Sequence, residues 1–326
     1  MENTRKTRRG GGEINWVALD GNGLKSIVTS SNGTSWKGQT SNGGVTNGYG
    51  VAYGLDGSGA PLWVAVGTGS NKIATSTNGT AWTGISANGG FSDYGWGVAY
   101  GLDGSGAGLW VAIGSGSNTI VTSPGGTVWT VRTANGGLTT NASGAGVAYG
   151  LDGSGAGLWV AVGEGSKSIA TSTNGTDWTG RTSNGGLTTG YGVAYANGLW
   201  VAVGEGSTSI ATSPDGTTWT GVTGSAKGGI TIGFGVAYAN GLWVAVGYGS
   251  NSIATSSNGT TWTGVTANGG FTTNGVTGKV AYGNGLWVAV GSNKIVKSTD
   301  NGATWIVVTE NGGITNGWAV AFKRII

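Results

Sequence analysis

One pattern recurs seven times along this chain: an apolar run of the form Leu-Trp-Val-Ala-Val-Gly, a second of the form Ser-Ile-Ala-Thr-Ser, a tight turn, and a tryptophan. The turn reads Ser-x-Asn/Asp-Gly-Thr/Ser-x-Trp. It ends on Trp36, Trp82, Trp129, Trp178, Trp219, Trp262 and Trp305, at intervals of 46, 47, 49, 41, 43 and 43 residues. Each interval has room for one small four-stranded sheet. Such a sheet cannot bury both its faces alone, so repeats of this size must stack on one another.

The second repeat shows the internal order. Gly50-Val51-Ala52-Tyr53 reads as an inner strand, Leu62 to Val66 as a second, Lys72 to Ser76 as a third and Ala81 to Ile85 as the outer one. These runs are continuously apolar or small, as expected where neighbouring sheets cover both faces. Gly/Asn/Ser clusters separate them. The connection between the first two strands has two lengths. Gly54-Leu55-Asp56-Gly57-Ser58-Gly59-Ala60 and its copies at 101–107 and 150–156 are long, whereas Ala196-Asn197-Gly198 and its later copies are short. One face is therefore expected to be thicker on one side.

The two ends complement each other. Ile14-Asn15-Trp16-Val17-Ala18-Leu19 matches a second strand with no inner strand before it, and Trp318-Ala319-Val320-Ala321-Phe322 matches an inner strand with no successor. Pairing them closes a ring and removes two open sheet edges. The expected fold is all-β: a seven-bladed β-propeller of four-stranded blades over residues 13–326, with the first blade closed by the C-terminal strand and a basic Gly-rich tail at 1–12.

Composition agrees. The 72 glycines follow no collagen period and sit between β-rich runs, and 16 Trp in 326 residues exclude a disordered chain. Arg5, Lys6, Arg8 and Arg9 against Glu2 leave the first twelve residues at +3, the formal charge of the whole chain. The body is neutral, so nucleic acid is not an expected partner for it, whereas the tail is expected to attract acidic partners. With no Cys there is no disulfide or thiol chemistry, and with no His the commonest metal ligand and general base are missing; neither cofactor nor metal is expected. The basic start runs into Gly10-Gly11-Gly12-Glu13, so no secretory signal is expected, and the strand-sized apolar runs predict no membrane insertion.

Ser298-Thr299-Asp300-Asn301-Gly302-Ala303-Thr304-Trp305 resembles the Asp-box of sialidase-type propellers, S-x-D-x-G-x-T-W. The other six turns, such as Ser76-Thr77-Asn78-Gly79-Thr80-Ala81-Trp82 and Ser213-Pro214-Asp215-Gly216-Thr217-Thr218-Trp219, are one residue shorter. Asn mostly replaces the Asp, and Gly125 stands there in the third. The motif specifies fold: the Asp or Asn accepts backbone N–H bonds, glycine supplies positive φ, and the Trp packs between sheets. Thr4-Arg5-Lys6-Thr7-Arg8-Arg9-Gly10-Gly11-Gly12 is similar to basic Gly-Gly tails on structural proteins of large DNA viruses of algae and protists, and the repeats look like propellers encoded by such viruses and by phages. That resemblance implies a virion or extracellular-surface location.

The sialidase resemblance implies three arginines clamping a carboxylate, a Tyr–Glu pair and an acid/base Asp around the channel. The body has only Arg132, Arg181 and Arg324. The first two each follow a turn-motif Trp by three residues, on outer strands where they cannot converge. Glu164 and Glu205 share a repeat position, but the equivalents Thr68, Ser115 and Tyr248 read as a tolerant loop and not as the paired carboxylates of a glycosidase. The Leu-Asp-Gly-Ser-Gly loops offer one carboxylate each, too few for calcium. Asn32, Asn78, Asn174 and Asn258 in Asn-Gly-Thr, and Asn141 in Asn-Ala-Ser, are formal glycosylation acceptors that read more simply as turn residues.

The expected ligand-binding residues are aromatic. Two positions before the inner-strand Val stand Tyr49, Trp96, Ala145, Tyr191, Phe234, Gly278 and Trp318. Tyr49, Trp96, Tyr191, Phe234 and Trp318 are expected to ring the channel mouth on the face opposite the turns and to stack on a glycan or peptide. The function expected is a non-catalytic binding or structural propeller, virion-associated or on a surface, engaging glycan or capsid protein. The alternatives are a degenerate sialidase-like glycoside hydrolase and a passive assembly scaffold.

Overall fold

In the computed structural model, the described residues are 13–324 apart from 23–24, 89, 117, 140–144 and 272–277. The tail 1–12 and Asn141 lie outside them. Seven antiparallel four-stranded sheets make seven blades, each built from the repeat. Blade 2 is Val45–Leu55, Pro61–Gly69, Ile73–Ser76 and Thr83–Ile85. The first two strands run longer than the apolar pattern alone predicts. Bulges at Gly48/Gly50 and near Val45 let the inner strand keep pairing past Tyr49 as far as Val45↔Gly69.

Blade 1 joins the termini. Gly317–Phe322 pairs with Trp16–Asp20 in the register Trp16↔Phe322 to Leu19↔Ala319. The Asp20 side chain locks this seam, because its fully buried carboxylate accepts the backbone N–H groups of Thr315 at 2.8 Å, Asn316 at 2.9 Å and Asn22 at 3.1 Å. Two amides left over where the chain arrives at the closing strand, and one where it leaves the first, are thereby paired.

The deepest side chains are the second-strand tryptophans: Trp16, Trp63, Trp110, Trp159, Trp200, Trp243 and Trp287. They pack between blades with the apolar residues of both neighbours, giving a chain of inter-blade clusters and no single core. The motif turns behave as their chemistry requires. Asn78 Oδ1 accepts the N–H groups of Thr80 and Ala81 at 2.9 Å, Gly79 takes φ +78°, and Trp82 Nε1 donates to the Gly79 carbonyl at 2.8 Å.

Around the axis each inner strand carries a glycine before its Val in five blades: Gly50, Gly97, Gly146, Gly192 and Gly235. A Cβ on Gly97 would lie 2.9 Å from the Ala145 carbonyl, and one on Gly192 2.9 Å from that of Phe234. The strands therefore pack backbone against backbone.

Candidate functional site

The structure brings the five sequence-predicted aromatics to one channel mouth, but not as a ring. Tyr49, Trp96 and Trp318 gather with Tyr94: Tyr94 stacks on Trp96 at 4.9 Å, Tyr49 lies 4.7 Å from Trp96, and Trp318 meets Tyr49 edge-on at 5.3 Å. Tyr191 stacks on Phe234 at 5.0 Å, with Tyr248 against its edge. Ala145 and Gly278 separate the two groups. Trp96 is only 5% exposed, the same as the turn-motif Trp82, and Tyr191 is 7% exposed. The expectation that these two present free faces for stacking is thus corrected, because the rings satisfy one another. The axial cavity below them, lined by Tyr49, Trp96, Lys279 and the inner-strand Gly–Val residues, is about 170 Å³, smaller than pockets that enclose organic ligands.

Sequence reasoning passed over the one charge in that cavity. Lys279 stands where five other blades have glycine and blade 1 has Ala319. Its ammonium reaches back to donate to the carbonyls of Tyr191 and, at 2.6 Å, Phe234, tying together blades 5, 6 and 7. The break in the glycine column was the signal for it. Burial pulls its pKa down from 10.5 to about 8. Between those values the unfolded chain holds a proton that the folded chain has released, so stability should rise as pH increases from 8 towards 10. Relative to Lys279→Met, the gain should be about 1–2 kcal/mol in chemical denaturation. A flat difference across that window would contradict the assignment.

On the same face, burial first and then the Glu205 and Glu164 carboxylates push the Tyr191 pKa up. Its phenol therefore stays protonated and hydrogen-bonds the Glu205 carboxylate. Arg132 and Arg181 lie along their own outer strands, each donating to a Thr hydroxyl of the adjacent strand at 2.8 Å, Thr122 and Thr171 respectively. Among the described residues no three carboxylates converge to hold a metal. Asp56 Oδ1 serves its own loop, accepting from the Ser58 N–H and hydroxyl and the Ala60 N–H at 2.7–2.9 Å. Asp103 and Asp152 repeat this arrangement.

The larger concavity opens at the opposite mouth, on the face of the motif turns. It measures about 800 Å³ and is lined by Tyr149, Tyr195, Tyr238 and Tyr282, with Asn197, Asn240 and Arg324. The tyrosines are the third residue of each Val-Ala-Tyr inner strand, so blade rotation sets them in a crescent. Each leans on its own blade's buried tryptophan at 4.9–5.0 Å, which fixes its ring. The long loops accompany buried Tyr53 and Tyr100 and also half-buried Tyr149, whereas blades 5 to 7 turn on Asn197-Gly198, Asn240-Gly241 and Asn284-Gly285, whose residues all have positive φ as two-residue hairpins require. Asn197 Nδ2 donates to the Tyr238 hydroxyl at 2.5 Å. Asn301, the extra residue of the seventh motif, accepts from Asn240 Nδ2 at 3.2 Å and braces that rim. Here the loop asymmetry seen in the sequence becomes the wall of a site.

Fold and site together define a β-propeller with a concave, tyrosine-lined end. No family model and no curated protein matches the chain. Solved structures are similar in fold. A putative 6-phosphogluconolactonase from Bacteroides uniformis superposes with a TM-score of 0.58 at 11% identity, covering 96% of this chain and 100% of that one. Virginiamycin B lyase from Staphylococcus aureus gives 0.56 at 12%, covering 89% and 86%. YCF48 from Cyanidioschyzon merolae gives 0.54 at 14%, covering 84% and 88%. At such identities the likeness is one of fold, and the three differ in what they do.

Proposed function

We propose that this chain is a non-catalytic binding propeller of the Asp-box type, a virion-associated or surface module whose ligand is a glycan, with a capsid or surface protein as the other partner class. One observation supports this reading above the others: the tyrosine crescent is a rigid concave surface of aromatic rings, hydroxyls and amides, with no carboxylate in its lining. Sugar rings suit such a lining, since apolar ring faces pack on aromatics and hydroxyls pair with Asn and Tyr groups. A hydrolase would instead need paired carboxylates on either side of a bond. The basic segment 1–12 would add a salt-sensitive attraction to acidic partners.

The test is a glycan array probed with the full chain, run beside a fluorogenic sialoside assay. Retention of a glycan without turnover is the expected result. Turnover would favour the hydrolase, and silence in both assays the scaffold.

A further inference from the structure

Resting on that reading, we propose that the crescent selects an acidic saccharide, an oligosaccharide whose terminal hexuronate places its carboxylate on Arg324. The observation behind it is how the charges around this concavity are distributed. Two consecutive cations leave the closing strand, and they differ. Lys323 forms an ion pair with Glu13 and lies over the Tyr53 ring at 5.7 Å. Arg324 is exposed, lines the concavity, and has no carboxylate or hydrogen-bond partner among the described residues. It is the only charged side chain in that lining. A guanidinium offers a carboxylate two parallel N–H donors, a match that neutral hydroxyls cannot reproduce.

The far end of the crescent is electrostatically opposite. Burial raises the Tyr149 pKa and the nearby Asp103 carboxylate raises it further. An acid group is therefore disfavoured at the blade 4 end and favoured at the Arg324 end, which orients the ligand. Between the two ends, the Tyr149, Tyr195 and Tyr282 hydroxyls and the Asn amides suit a hydroxyl-rich chain. An acidic peptide would share the contact to Arg324 but would leave these groups to pair with water.

The probes are a trisaccharide with one terminal glucuronate and the same trisaccharide carboxyl-reduced to glucose, titrated calorimetrically into the full chain and into Arg324→Gln. Arg324 is exposed, so the variant should keep the thermal midpoint of the parent. The acid form is expected to bind about fivefold to tenfold tighter than the reduced form at low salt. The preference should shrink in 1 M salt and vanish in Arg324→Gln, while the reduced form binds both proteins equally. Equal binding of the two sugars to the parent, or a preference that survives Arg324→Gln, would overturn the acidic specificity while leaving a glycan site. Binding of neither sugar, with an acidic peptide bound in their place, would overturn the saccharide reading itself.

Discussion

Deleting Trp318 to Ile326 is expected to abolish cooperative unfolding of a monodisperse monomer. The deletion removes nearly all of the strand that pairs with Trp16–Asp20 and exposes that strand as an open edge. It also strips Phe322 from its edge contact with buried Trp16 at 4.8 Å and buried Ala319 and Val320 from the adjoining clusters. Losing one large buried side chain costs about 3–5 kcal/mol, and a whole domain is stable by only about 5–15 kcal/mol. Asp20→Ala tests the same seam without shortening the chain. It removes the charged acceptor of the Thr315 and Asn316 amides and leaves a void at a fully buried position, and should cost about 2–4 kcal/mol. Calorimetric unfolding with light scattering reads both, and an unaltered midpoint and monomer mass after the deletion would refute the closure.

Trp96→Ala is expected to destabilise the fold by about 3–5 kcal/mol, as much as Trp82→Ala, and not to act as a selective binding defect. The two side chains are equally buried at 5%. Trp96 is held between Tyr49 and Tyr94 and packs in one cluster with Leu109, Leu138 and Trp159. Denaturant titration of both variants decides the matter. If Trp96→Ala retains the parental stability while Trp82→Ala does not, the first aromatic is a free surface after all.

The fold was legible because its signals are redundant. Seven copies of one motif, each with its own turn chemistry and tryptophan, identify the blade, and complementary ends identify the closure. Strand limits were less legible, since the bulges beside Tyr49 depend on pairing with Gly67 and Thr68, which no local pattern records. For the site, the sequence placed Tyr49, Trp96 and Trp318 at one mouth but could not show that aromatic rings from three adjacent blades would fill each other's faces. The tyrosines of the Val-Ala-Tyr strands read as inner-strand core, and six of seven blades share them. Which of them line the concavity needs the disc to be assembled, since Tyr149 lines it and Tyr100 is buried although a long loop follows both. Lys279 and Arg324 are single departures in a regular series. Departures from a repeat pointed to chemistry better than the repeat itself did.

The central claim is that ligand sits in the crescent on the turn-motif face and leaves uncleaved. It is tested most directly by tyrosine-selective isotope labelling of the full chain, whose ten tyrosines sample both mouths, followed by NMR during titration with the glucuronate-terminated trisaccharide. The account predicts that the ring signals of Tyr149, Tyr195, Tyr238 and Tyr282 shift together, that those of Tyr49, Tyr94 and Tyr191 stay in place, and that the sugar is recovered intact. Shifts confined to Tyr49, Tyr94 and Tyr191, or hydrolysis of the sugar during the titration, would contradict it.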